Sequence, residues 1–414
     1  MKNTVVTLPA QPSLRMYGFS LIELMISLTI GLFITGAVIS TYLSTKQSFN
    51  RQSQLAEMQQ NARAAFEYLG SDGRAAGHVG CYSGLPVTAS TWVNALGSAT
   101  AAPYAFAGAL EGYDAVSATA TITSAMTATS AYSVTASNWA TNSATSGSST
   151  TAPVTAYVNS GGAALGSDIL ILRTTVGLPY RLTTTAGATT FNFDAVTSGN
   201  TVQGFVKGST CGGSGTRYSE FCANSIGIVS SCSRATVFQA TNVAVAGAVG
   251  TITHAASGTA GPGNATPTWT TNIFPSTSEL FRAQTVIYYV GLGATGPALF
   301  RKVYDGESTS PTADELIDNV ENMQVTYGID TGASGDGMLD SYVTAGSVTD
   351  WNKVIAVRIG LLMRSSTLLA GDAKVPTTIT VNGQAVSLPA ASAPRYDRRV
   401  FTTTIALRNR IKYQ

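Results

Sequence analysis

GFSLIELMISLTIGLFITGAVISTYLST, residues 18–45, decides the fold of this chain. After the junction of Gly18 and Phe19 it holds one carboxylate, Glu23, and then no charge until Lys46. As a helix the uncharged run 24–45 rises about 33 Å, enough to cross a hydrocarbon core of roughly 30 Å. The run is therefore expected to span a membrane. Glu23 does not fit an ordinary anchor, because a carboxylate in an apolar helix costs about 2.5–3.5 kcal/mol even on insertion scales. Either it stays hydrated at the membrane edge or a partner offsets that cost.

Upstream, residues 1–18 carry only Lys2 and Arg15 as charges, and Pro9 and Pro12 oppose a helix. This reads as an extended, removable leader that keeps the amino terminus cytoplasmic while the chain beyond the apolar run is exported. Downstream, Leu55, Met58, Ala62, Phe66 and Leu69 recur at steps of three or four. That period continues the helix to about Gly70 or Gly73, roughly 75 Å in all. Its first half is apolar nearly all round, with Gly31 and Gly36 as weak points, and must be surrounded by lipid or by other helices. Its second half has one apolar stripe, which a globular domain should cover; an anchor followed by a stalk has the same pattern. The organisation expected is a leader (1–18), a membrane half (19–45), an amphipathic half (46–73) and a head (74–414).

The chain has 414 residues, only 11% of them charged, and a net charge of +2. Against a typical charged fraction of about 25% this leaves no electrostatic footprint for nucleic acid. Cys81, Cys211, Cys222 and Cys232 follow an export leader, so two disulfides are expected, with all three pairings open. Their spacing lacks the short paired elements of a zinc site, and the only histidines are His78 and His254. His78 stands in the glycine-punctuated 71–84 turn region and reads as structural or surface.

Between Arg74 and Asp168 the only charges are Glu111 and Asp114. Residues 86–165 therefore read as an Ala/Ser/Thr-rich surface insertion of short strands and loops, in part disordered. Trp92, Tyr104, Phe106, Tyr113, Tyr132 and Trp139 oppose complete disorder and suit a small packed layer. Strands are expected at 169–172, 235–245, 284–290, 299–304 and 323–329, the third and fourth as a hairpin. A strand at 353–364 should have one buried face and one partly wet, and 400–410 should close the sheet. Residues 246–275 read as connection. At 314–322 Asp314 can cap a short helix or turn in which Leu316, Ile317 and Val320 fall at helical spacing.

No phosphate-binding loop, nucleophile elbow or HExxH helix is present, which disfavours an enzyme. The nearest approach to a ligand site is the loop bearing Asp330, Asp336 and Asp340. Calcium could use such oxygens, but Gly332 and Ser334 stand where an EF-hand needs acids or amides, and a polar turn suits the loop better.

GFSLIELM closely resembles the processing site of type IV prepilins, the class III signal sequence. The resemblance implies that a prepilin peptidase cuts after Gly18, that Phe19 becomes the N-methylated terminus, and that Glu23 neutralises a neighbouring subunit's terminal amine during assembly. Pairing two otherwise unpaired charges in an apolar filament core would offset both penalties. Further blocks, LGSDGRAAGHVGC (69–81), SDILILR (167–173), ELIDNVENMQVTYGIDT (315–331), WNKVIAVRIGLLMRS (351–365) and RRVFTTTIALRNR (398–410), are similar to the PilW family of minor type IV pilins. That resemblance implies an α+β, type IV pilin-like fold: a long N-terminal helix packed on an antiparallel sheet head. It also implies an inner-membrane protein of a Gram-negative bacterium, with a periplasmic head before assembly and a place in the pilus, near its tip, afterwards. The implied partners are other minor pilins, the major pilin, the pilus assembly platform and a large tip adhesin, and the implied work is priming of pilus assembly. The family is related in architecture to pseudopilin J of type II secretion, so a secretion pseudopilin is an alternative. A membrane-anchored adhesin that meets its ligand through 86–165 is another.

Overall fold

The computed structural model describes residues 18, 20–82, 91–97, 103–106, 108–116, 120–121, 129–141, 154–194, 207–211, 215–255, 261–265, 269, 274–308, 310–332, 336–369, 376–388 and 395–410. The N-terminal helix is Leu21–Ala75, a stretch without proline. It stops ahead of Gly77 and Gly80, whose φ angles of 72° and 71° suit glycine and few other residues. The chain divides into two compact units, Met1–Leu55 and Ala56–Gln414. In the first, the described residues up to Ser53 are all exposed.

Within the second unit the helix buries Met58, Ala62, Ala65, Leu69, Gly70 and Gly73, the stripe that its period requires. Phe66, from the same pattern, is half-buried. Gly73 lets the helix approach the strand Tyr396–Ala406 closely: a Cβ there would stand 3.0 Å from Ile405 Cγ2. A polar clamp ties the helix to the strands Glu279–Leu292 and Pro297–Tyr304. The Asp72 carboxylate accepts from Tyr288 Oη at 2.6 Å and from Arg301 Nε at 2.9 Å.

The head is built on two main sheets. The larger runs in the order Trp92–Asn94, Arg234–Gln239, Ile226–Ser231, Glu279–Leu292, Ile169–Arg181, Leu110–Ala115 and Trp139–Ala140. Pro297–Tyr304 also pairs with Glu279–Leu292, forming the expected hairpin, and Asp314–Asp318 adds to its far side. The smaller sheet is antiparallel, in the order Ser341–Val343, Val320–Ile329, Val354–Leu368 and Tyr396–Ala406. Leu170, Leu172, Val286, Val290, Val325, Ile359 and Leu361 from the two sheets share one core with helix residues Ala62, Ala65 and Leu69. A long apolar helix followed by this β-rich head is an α+β, type IV pilin-like fold.

Four expectations are corrected. Residues 314–322 are not helical: Asp314–Asp318 pairs with Pro297–Tyr304, and Val320–Ile329 with Val354–Leu368. Between them Asn319 takes φ 63°, a left-handed turn residue through which the chain passes from one sheet to the other. The strand Val354–Leu368 is buried on both faces over most of its length, because the hairpin Thr378–Val381 and Gln384–Ser387 lies across it; a Cβ on Gly360 would meet Val381 Cγ1 at 2.9 Å. The stretch 235–245 is two strands, Arg234–Gln239 and Asn242–Ala246, and the latter pairs with Val249–Thr253 inside the supposed connection. Finally, the stretch 86–165, whose residues 86–90, 98–102, 107, 117–119, 122–128 and 142–153 lie outside the described ones, is no surface appendage. Leu110–Ala115 is a strand of the larger sheet, and Tyr104, Phe106, Tyr113, Tyr132 and Trp139 are buried, as packing aromatics should be.

Candidate functional site

Gly18 is exposed with open space around it, Phe19 and the leader residues 1–17 lie outside the described residues, and Glu23 occupies the first turn of the helix. Glu23 is exposed and makes no ion pair among the described residues. Around it Leu21, Ile22, Leu24 and Met25 are all more than half exposed, as are Leu28, Leu32, Phe33 and Val38 further on. The helix is long and apolar enough to cross a membrane. Its hydroxyls suit an apolar surround, because five of them donate back along the helix: Ser27 to the Glu23 carbonyl, Thr29 to Met25, Thr35 to Gly31, Thr41 to Ala37 and Thr45 to Thr41, at 2.5–3.1 Å. These side chains bring satisfied polar groups into hydrocarbon. The Glu23 carboxylate does not.

The cysteines pair as Cys81 with Cys232 and Cys211 with Cys222. The first bond ties the segment just after the helix to the turn between Ile226–Ser231 and Arg234–Gln239. The second closes a short loop across Lys207–Thr210 and Thr216–Tyr218. His78 stands edge-on to Phe281, and His254 is stacked on Trp269 inside an aromatic cluster.

The acidic loop is occupied with its own backbone. Asp330 accepts from the amides of Gly332 and Gly337 at 3.2 and 2.8 Å, Asp336 from that of Met338 at 2.8 Å, and Asp340 from the amide and hydroxyl of Thr331 at 2.6 Å each. The Thr331 bonds hold the Asp340 carboxyl below its ordinary range. Ser334 lies outside the described residues. Among the described residues no three His, Cys, Asp or Glu side chains converge as a metal site.

A buried polar junction between the sheets escaped the sequence reading. Asp168 is buried, and its two carboxylate oxygens accept from Ala115 N at 3.1 Å and Val325 N at 2.8 Å, one strand from each sheet. Beside it Ser167 receives the Trp139 indole N–H on its carbonyl and donates its hydroxyl toward the Met323 carbonyl. Asp114 caps the amides of Ala345 and Gly346, and Glu111 forms a buried ion pair with Arg173 at 2.8 Å. One signal was available: Glu111 and Asp114 are the sole charges in a long neutral tract, and each turns out to hold buried structure.

A class III leader motif at the start of an exposed apolar helix, followed by a disulfide-tied head of mostly antiparallel strands, fits the type IV pilin class. Residues 14–39 match the prokaryotic N-terminal methylation motif, and residues 287–409 match the family model for type IV pilus-assembly protein W. Together these are the matches of a minor pilin of the PilW family with a class III leader, a pilus-associated, membrane-anchored protein. The second match covers the whole of the smaller sheet. No curated protein and no solved structure matches the chain.

Proposed function

We propose that this chain is a structural subunit whose work is assembly of the type IV pilus. Prepilin peptidase cleaves between Gly18 and Phe19, and Phe19 is N-methylated. Residues 24–45 first hold the protein in the inner membrane of a Gram-negative bacterium, with its head in the periplasm, and then enter the filament core. Glu23 pairs with the terminal ammonium of a neighbouring pilin. With other minor pilins the subunit primes the fibre and stays near its tip, beside a large adhesin. The observation that carries this reading is Glu23 itself: an exposed carboxylate with no ion-pair partner among the described residues, in a helix otherwise suited to an apolar surround. Its cost of about 2.5–3.5 kcal/mol in the membrane is offset once a cation from another subunit lies beside it.

In the producing bacterium, Glu23→Val is expected to leave processing and membrane insertion intact and to reduce the amount of this subunit in sheared pili. Wild-type incorporation of the variant would refute the docking role. N-terminal sequencing of the mature chain should begin at methylated Phe19; a start beyond residue 40 removes the chain from the class. Gold-labelled antibody on sheared pili is expected at one fibre end, and labelling along the shaft would rule out the tip position.

A further inference from the structure

The smaller sheet carries an open groove of about 630 Å³ that assembly through the helix does not use. Its floor is the outer face of Val320–Ile329, Val354–Leu368 and Tyr396–Ala406, from which Thr326, Arg358 and Thr402 line it, Thr326 and Arg358 paired in register. One wall is the tip of the Thr378–Val381 and Gln384–Ser387 hairpin. Asn382 fixes that tip, its amide nitrogen lying 3.0 Å from both Thr326 Oγ1 and the Arg358 carbonyl. The other wall is Tyr342, at the sheet edge.

Arg358 is the one charge in the lining among the described residues. Its guanidinium lies 3.8 Å from the centroid of the Tyr342 ring, and no carboxylate faces it among the described residues. Arg173, Arg217, Arg282, Arg301, Arg364 and Arg398 each have an acidic partner, whereas Arg358 lies over a ring instead. A guanidinium stacked on a ring keeps the donors in its own plane free for a planar, bidentate acceptor. Around it the groove presents neutral hydroxyl and amide groups. The floor backbone is already paired within the sheet, so a ligand must be read by side chains, unlike a peptide that adds to a sheet edge. The volume lies within the roughly 300–1,000 Å³ usual for small-ligand pockets.

We propose that the groove lined by Thr326, Tyr342, Arg358, Asn382, Gln384 and Thr402 binds a carboxylate-bearing saccharide. Arg358 holds the carboxylate, and Gln384 and Thr402, both exposed, bond ring hydroxyls.

Calorimetric titration of the full chain in detergent micelles with tri-galacturonate tests this. Binding is expected, at least about tenfold tighter than that of neutral galactotriose and weakened by salt. Arg358→Gln should lower the affinity about tenfold or more, and the double variant Gln384→Ala, Thr402→Val should lower it several-fold with an unchanged melting curve. The proposal is overturned if wild type gives no heat at millimolar tri-galacturonate, or if galactotriose binds equally well. Unchanged affinity in a folded Arg358→Gln overturns it too; should that variant unfold, unchanged affinity in the double variant does the same. Tri-glutamate binding as tightly as tri-galacturonate would assign the groove to acidic peptides instead.

Discussion

Gly112 and Tyr327 face each other where the two sheets meet. The Tyr327 hydroxyl occupies the space that a Cβ on Gly112 would need, and it is buried without a hydrogen-bond partner among the described residues. Burial and the nearby charges of Asp114, Asp168 and Glu111 push its phenol well up, so it stays a neutral hydroxyl. This one contact has two opposite effects. Gly112→Ala should destabilise the head by about 1–3 kcal/mol through overpacking. Tyr327→Phe removes an unsatisfied polar atom while keeping the ring, and should be neutral or stabilising by about 1 kcal/mol. The double variant is expected to recover part of the Gly112→Ala loss, because the ring can then settle against the new methyl group. Urea unfolding reads all three, and a Gly112→Ala variant as stable as wild type would show that the strands are free to separate there.

At the scale of elements, the two sheets are joined by short polar connections, Asp168 foremost. Burial raises the Asp168 carboxyl well above its ordinary range, the Asp114 charge adds to this, and the amides of Val325 and Ala115 oppose it. Asp114 is raised by burial as well, against the amides of Gly346 and Ala345. The folded head therefore holds these protons more tightly than the unfolded chain does. Their contribution to stability is complete below the ordinary aspartate value of about 3.9 and is lost as pH rises through the raised one. Asp168→Asn cannot titrate, and it turns an amide N–H toward a backbone donor. Wild type should thus exceed it in melting temperature by more near pH 4 than near pH 7, and a gap that is constant or widens with pH would refute the assignment. Little of this junction was legible in the sequence. The helix and the strands at 284–290 and 299–304 were, as was the strand expected at 400–410 except that it runs Tyr396–Ala406 and gives way to a 3-10 turn at Arg408–Arg410, because their apolar periods extend over many residues and agree with their packing. At 314–322 two short strands and a left-handed Asn319 imitate helical spacing, and only the partners Pro297–Tyr304 and Val354–Leu368 decide between the readings. In 86–165 low complexity hid a core strand, since Glu111, Gly112 and Asp114 break any apolar alternation in Leu110–Ala115, whereas the larger sheet recruits that strand by register with Ile169–Arg181.

For the molecule as a whole, the cross-link of Cys81 to Cys232 sets how compact the unfolded head can be. It spans 151 residues, against 11 for Cys211 and Cys222. In the chain-entropy account the longer closure contributes about 5 kcal/mol and the shorter about 3. The two also differ in packing: Cys81 and Cys232 are not buried, while Cys222 is completely buried. Replacing Cys81 and Cys232 by serine should therefore leave the native contacts in place and act on the unfolded chain. The expected result is a loss of about 2–5 kcal/mol in urea unfolding together with a steeper denaturant dependence, because more surface becomes exposed when the large loop opens. Replacing Cys211 and Cys222 by alanine should lower stability with little change in that slope, since its loop is short and its cost includes the packing of the Cys222 sulfur. If the Cys81, Cys232 variant lost stability without any change in slope, the bond would be acting on native packing at the end of the helix, and the link from chain topology to stability would have to be drawn there instead.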